Sequence, residues 1–234
     1  MIIDVDYDFS TDAKGGDPDS TSPTLRRYHK LLWNKPLPDG NMFELRDDMS
    51  GSYLYHASVL GEFSLGSDAI THSYKSQKRK QWLIRQIPCE VDELFHAGLT
   101  IGAYILFPNN RIDGKHTVNQ ARGVNSLIDD RFDLTLECIR RFYSGLDSPL
   151  YETLQRYKGF FDLFQDFDGY VHFFLLEDLV DGNGNVRFYL PFDGFANPPG
   201  FLDVEDYLEY KHHVMKFIQS RNRRIAGYAR SIFS

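Results

Sequence analysis

LTIGAYILFPNNRIDGKHTVNQARGVNSLIDDRFDLTLECIRRFY, residues 99–143, carries both kinds of regular structure in one run. Its opening, LTIGAYILF, is β-branched and aromatic, suits a central strand, and stops at the Pro108-Asn109-Asn110 turn. From 126 to 143, Ile128, Phe132, Leu136, Ile139 and Phe142 recur at three- and four-residue steps over a polar face of Asp129, Asp133, Glu137, Arg140 and Arg141, which predicts a helix. Glu137 and Arg141 stand one turn apart there and can pair.

Working outward, residues 2–9 alternate Ile3, Val5, Tyr7 and Phe9 with Asp4, Asp6 and Asp8, the period of a strand with one wet face. A polar loop over 10–21 leads to Ser22-Pro23, an N-cap followed by proline, and to a helix carrying Leu25, Tyr28, Leu32 and Trp33 that stops before Pro36. MFEL and YLYHASV read as short strands, the basic residues over 75–81 as exposed, and EVDELFHAG as a short helix closed by Gly98. Downstream, 149–167 suits a helical pair bent at Gly159. YVHFFLLEDLV, the Asp181-Gly182-Asn183-Gly184-Asn185 turn and VRFYLPF suggest a β-hairpin. A long helix, or two, follows Asp203. Strands and helices mix without regular βαβ alternation, so the expected fold is a single α+β domain over 1–234, a mixed or antiparallel sheet packed by several helices with a long C-terminal helix.

The 234 residues suffice for one domain with a sizeable core, and 15% aromatic residues imply one rich in Phe and Tyr. A formal net charge of −7 argues against bulk electrostatic binding of nucleic acid, leaving only a local basic groove for it. Cys89 and Cys138 lie far apart without metal-ligand spacing, which fits a reducing compartment. No apolar run approaches the ~18 residues of a membrane span, and the start MIIDVDYDFS lacks a signal-peptide pattern, so a cytoplasmic location is expected.

TLRRYHKLLW, LGSDAITHSY, TIGAYILFPNNRI, HTVNQARG, DRFDLTLECIRRFY, FFDLFQDF and GYVHFFLLEDLV together resemble an uncharacterised bacterial family carrying a domain-of-unknown-function label. That resemblance covers most of the chain and brings no mechanism. YLYHAS, residues 53–58, resembles the first motif of ADP-ribosyltransferases, with Ala57 where the superfamily usually has Gly. This second resemblance implies NAD as a possible cofactor. His56 would hold its ribose, Tyr74 would stack on nicotinamide, and Glu177 would stabilise the oxocarbenium charge that develops as the glycosidic bond breaks.

Asn119, Gln120, Arg122 and Asn125 precede the helix in 126–143, which itself bears Arg131, and a helix N-terminus with Arg and Asn beside it can receive phosphate. Acids on the same helix suit a magnesium ion for phosphodiester hydrolysis, the metal-dependent nuclease alternative; they equally suit a solvated face laced with ion pairs. LGSDAITHSY gathers Ser67, Asp68, Thr71, His72 and Ser73, but no G-x-S-x-G elbow surrounds either serine, and Asp68 also suits a helix cap. The early aspartates lack the glycine of a calcium loop, and His212 and His213, adjacent on a helix, point about 100° apart and cannot share a metal. RNRRIAGYAR suits a helix C-terminus. The expectation is therefore an enzyme acting on a nucleotide or nucleic acid, with a non-catalytic protein-interaction module using aromatic surface from FFDLFQDF or the final helix as its rival.

Overall fold

In the computed structural model, which describes residues 3–233, strand β1 (Leu54–Ser58) is followed by β2 (Gly61–Ala69), and β2 pairs on its other edge with β3 (Tyr104–Pro108). Both pairings are antiparallel, in the order β1-β2-β3, with Ser67 opposite Leu106 and Asp68 opposite Ile105. The helices are α1 (Pro18–Thr21), α2 (Pro23–Trp33), α3 (Gln81–Ile84), α4 (Pro88–Ala97), α5 (Val118–Val124), α6 (Phe132–Tyr143), α7 (Tyr151–Arg156), α8 (Lys158–Asp162), α9 (Phe167–Phe173) and α10 (Val204–Phe233). This is an α+β fold, and among the described residues no helix is long and apolar enough to cross a membrane.

Local chemistry sets the helix boundaries. Ser22 Oγ accepts from Leu25 N at 3.1 Å, and Pro23 occupies the first turn of α2, where its missing N–H costs nothing. Asp203 Oδ1 accepts from Asp206 N at 3.0 Å and starts α10. One aromatic core lies beneath these elements: Phe160, Phe161 and Phe164 are fully buried and Phe167 nearly so. The face of FFDLFQDF is therefore core and offers a protein partner no surface.

Several expected elements differ. Of residues 2–9, residue 2 lies outside the described residues, and from Ile3 onward no strand forms. Asp4 Oδ1 accepts from Asp6 N and Asp8 Oδ1 from Ser10 N, so local side-chain acceptors turn a backbone whose alternation suits a strand. MFEL makes a single isolated bridge, Met42 with Pro36, and β3 is an edge strand rather than a central one, preceded by a 3₁₀ turn over Ile101–Ala103. The helix expected from 126 begins at Phe132, because residues 126–130 form a turn and Arg131 is the N-cap. The hairpin is absent: YVHF lies in α9, capped by Asp166 Oδ1 accepting from Gly169 N at 2.8 Å, and a single Val180–Val186 bridge spans the Asp181 turn. Tyr170, Val171, Phe173 and Phe174 are buried while His172 is exposed, a helical spacing of burial that overrides β propensity.

Arg221 of α10 is fully buried and donates to the carbonyl oxygens of Gly102 and Tyr104, both at 2.9 Å, and of Phe174, thereby fastening α10 to β3 and to the end of α9. Burial draws its pKa down to about 10. Replacing Arg221 by Met strands three buried carbonyls and is expected to cost about 3 kcal/mol or more, read as a fall in the urea midpoint; an unchanged midpoint refutes the clamp.

Candidate functional site

A cleft of about 890 Å³ opens where α1, the end of β2, the segment after β2, α4 and the turn before α6 meet. Antiparallel pairing continues beyond β2, as Ile70 N donates to Ala103 O at 2.8 Å. The next residues are held from below by α10, whose Tyr210 Oη donates to His72 O at 2.9 Å and whose Tyr207 Oη donates to Ser73 O at 3.0 Å. Thr71, His72, Ser73 and Tyr74 are thereby set along one wall, and Leu94, Phe95, Leu99 and Tyr104 supply apolar surface.

The alternation of β2 separates Ser67 from Asp68. Trp33 Nε1 donates to His29 Nδ1, so the His29 proton sits on Nε2 and is given to Ser67 Oγ at 2.9 Å, which leaves no base to activate that serine. Asp68 points the other way and accepts from Arg122 Nη1 at 2.8 Å. Arg122, fully buried, also donates to Ala69 O, Asp130 O and Thr135 Oγ1, and its Nη1 lies 3.3 Å from Asp130 Oδ1. Asp130 Oδ2 in turn faces His72 Nε2 at 2.8 Å. Asp19 of α1 completes the floor: its Oδ2 accepts from Ala69 N at 3.2 Å, while its Oδ1 is enclosed and without a hydrogen-bond partner.

Three carboxyls in one hollow acquire three different proton affinities. Burial, with the Asp68 and Asp17 charges added, raises Asp19 to about 8. Burial raises Asp68 as well, but Arg122 pulls back against it and against the Asp130 charge, leaving about 6. At Asp130 burial is outweighed by Arg122 and His72, which hold it down at about 2. Near neutral pH the cleft thus presents a protonated carboxyl beside ionised ones. Thr71, only 8% exposed, adds an enclosed hydroxyl with no partner.

Backbone strain gathers here as well. Tyr74, Asp129 and Asp130 adopt φ of 61°, 48° and 63°, the left-handed region that side chains disfavour. Tyr74 Oη donates to Asp129 O at 3.1 Å, so one strained turn braces the other. Strain of this kind persists where packing over-determines it and clusters at functional sites.

The residues expected from sequence divide between this cleft and elsewhere. Tyr74 and Asn119 line it. Arg122 lies beneath it with its donors committed inward, and so holds carboxylates in place instead of offering a phosphate site. Arg131 is bonded to Asp133 Oδ1 at 3.1 Å and borders a separate hollow of about 330 Å³ near Leu190 and Phe192. The helix N-terminus expected to receive phosphate is that of α6, whose cap residue Arg131 makes no side-chain cap hydrogen bond and pairs with Asp133. His56 is buried against Phe43 and Phe63, with Nδ1 donating to Glu44 O. Glu177 lies in a 3₁₀ turn, 3.3 Å from Arg224 and 3.1 Å from His172. Neither His56 nor Glu177 lines the cleft. The acids intended for magnesium pair with cations: Asp129 with Arg79 and Lys80, Asp133 with Arg131, Glu137 with Arg140 and Arg141. Among the described residues no group of three or more His, Cys, Asp or Glu is arranged to hold a metal ion. Asp17 and Asp19, inside a stretch that reads as a plain loop, gave no signal; Asp68, Thr71 and His72 stood in view but suggested a triad the geometry does not form.

Fold and cleft together define an α+β protein with a carboxyl-lined hollow buttressed by a buried arginine. The chain belongs to the family of unknown function DUF6994, whose sequence profile matches residues 3–225. No curated protein and no solved structure matches it.

Because the folded state raises Asp19 above its ordinary 3.8, the native protein holds this proton more tightly than the unfolded chain. Its contribution to stability is complete below pH ~4 and is lost as pH rises toward about 8. Asp19→Asn should therefore melt progressively higher than the wild type as pH goes from 5 to about 8. A constant difference in Tm across that range would contradict the raised pKa.

Proposed function

We propose that this chain is an enzyme that hydrolyses a glycosidic bond in the cleft, with Asp19 as general acid and the Asp68 and Asp130 carboxylates stabilising the cationic sugar. The observation that carries this reading is the unpartnered Oδ1 of Asp19, enclosed in the same cleft that Asp130, held by His72 and Arg122, also lines. Paired carboxyl groups of opposite protonation state are what such a reaction requires. The oxocarbenium chemistry expected of an enzyme acting on nucleotides is kept, and the residues that perform it change.

In the proposed step the proton of Asp19 passes to the leaving nitrogen or oxygen as the bond to the anomeric carbon breaks, and the electron pair departs with the leaving group. Positive charge then spreads over the sugar carbon and ring oxygen, close to carboxylates whose orientation is already set, so little reorganisation is needed. Water adds to the anomeric carbon, and its released proton restores Asp19. The volume of about 890 Å³ accommodates a nucleoside, with a base against the apolar wall of Phe95 and Tyr104 and the sugar over the acids.

Assays with uridine, adenosine and 4-nitrophenyl β-D-ribofuranoside test this. With the nucleosides, kcat/KM should rise as Asp68 ionises near about 6 and fall as Asp19 loses its proton near about 8, these being apparent values of a coupled group. Asp19→Asn should lower nucleoside kcat about 10²- to 10⁴-fold and affect the nitrophenyl glycoside far less, since nitrophenolate departs without protonation. Equal losses on both substrates would remove Asp19 as the acid, and no turnover of any of the three would remove the ribosyl version of the reaction.

A further inference from the structure

Building on the proposed glycosidic chemistry, we infer that the cleft selects by charge and takes an unphosphorylated ribosyl compound, such as a nucleoside, while rejecting its phosphate esters. Four aspartates, Asp17, Asp19, Asp68 and Asp130, line the cleft, and Lys75 is the one Lys or Arg among its lining residues. Lys75 is itself spent on Asp92, with Nζ and Oδ1 2.8 Å apart. The guanidinium of Arg122 is fully buried and neutralised from within by Asp68 and Asp130, so it offers the cleft no charge. With Asp19 protonated, the remaining aspartates still leave the floor negative, and low-dielectric walls concentrate that potential.

Enclosed acceptors and donors in the same hollow point to a ligand bearing hydroxyl groups. Asp19 Oδ1 and Thr71 Oγ1 are both shut off from solvent without hydrogen-bond partners, and Thr71 is more than nine-tenths buried. A protonated carboxyl and a hydroxyl can each give and accept, which suits sugar hydroxyls. A phosphate dianion would meet the same groups but also the Asp17, Asp68 and Asp130 charges, of which the Arg122 guanidinium offsets one and leaves the others in excess. The positive charge that forms on the sugar is by contrast drawn to this floor, so the sign that repels phosphate also favours the transition state.

Calorimetry on the full chain with three probes separates these effects: 1,4-dideoxy-1,4-imino-D-ribitol, a cation at neutral pH; neutral 1,4-anhydro-D-ribitol; and the 5-phosphate of the imino compound. The imino cation should bind at least about tenfold more tightly than the neutral ring and at least about tenfold more tightly than its phosphate, the scale of a single unit-charge contact near a protein surface. Asp17→Asn, which preserves the helix cap because Asn caps as well as Asp, should narrow the discrimination against phosphate. If the phosphate binds as well as the unphosphorylated cation, charge selection is wrong while the glycosidic reading stands. If none of the three binds, both fall.

Discussion

Everything around the cleft depends on the burial of one guanidinium. Arg122 reaches from α5 to the last turn of β2 through Asp68 and the Ala69 carbonyl, to the strained turn before α6 through the Asp130 carbonyl, and to α6 itself through Thr135 Oγ1. The end of β2 thus meets, at a single planar fork, a stretch of chain more than 50 residues further on. A buried cation with this many partners is tolerable only when nearly every donor is satisfied, and removing one partner leaves uncompensated charge in the interior. The carboxylates are therefore held in place by the same requirement that keeps the arginine folded inward.

A second buried arginine plays a related part without a carboxylate. Arg221 satisfies carbonyl oxygens of the segment leading into β3 and of the end of α9, and in doing so sets the height of α10 beneath the sheet. From α10, Tyr207 and Tyr210 then reach up to the carbonyls of Ser73 and His72. The wall of the cleft is thus supported from the helix nearest the end of the chain. Gly102 shows how close that packing is: a Cβ there would stand 2.8 Å from the Ile218 carbonyl oxygen. Only glycine lets α10 approach so near.

The same physics explains why the more obvious candidates led elsewhere. His56 belongs to a strand whose inner face is aromatic core, and its ring packs on Phe43 and Phe63 as another flat core side chain. Arg122 and Arg131 suggested phosphate because they are cationic and near helix starts, yet each found an aspartate before any ligand could. In Tyr74 the sequence signal and the cleft coincide, but the tyrosine hydroxyl is committed to Asp129 O as a brace between strained turns.

What the amino-acid order determined by itself was local: the stripe of α6, the caps at Ser22 and Asp203, the turn chemistry at Asp181, the aromatic core and the α+β class. Each follows from periodicity or from side chains bonding to backbone within a few residues. Tertiary structure alone decided that β3 lies at the edge of the sheet and that Asp19, Asp68, Thr71, His72 and Asp130 share one hollow. Those outcomes depend on burial and on contacts between segments some 50 residues apart, as in the bond from Ala69 N to Asp19. Raised and lowered proton affinities likewise come from desolvation and neighbouring charge, neither of which exists until the chain has closed around them.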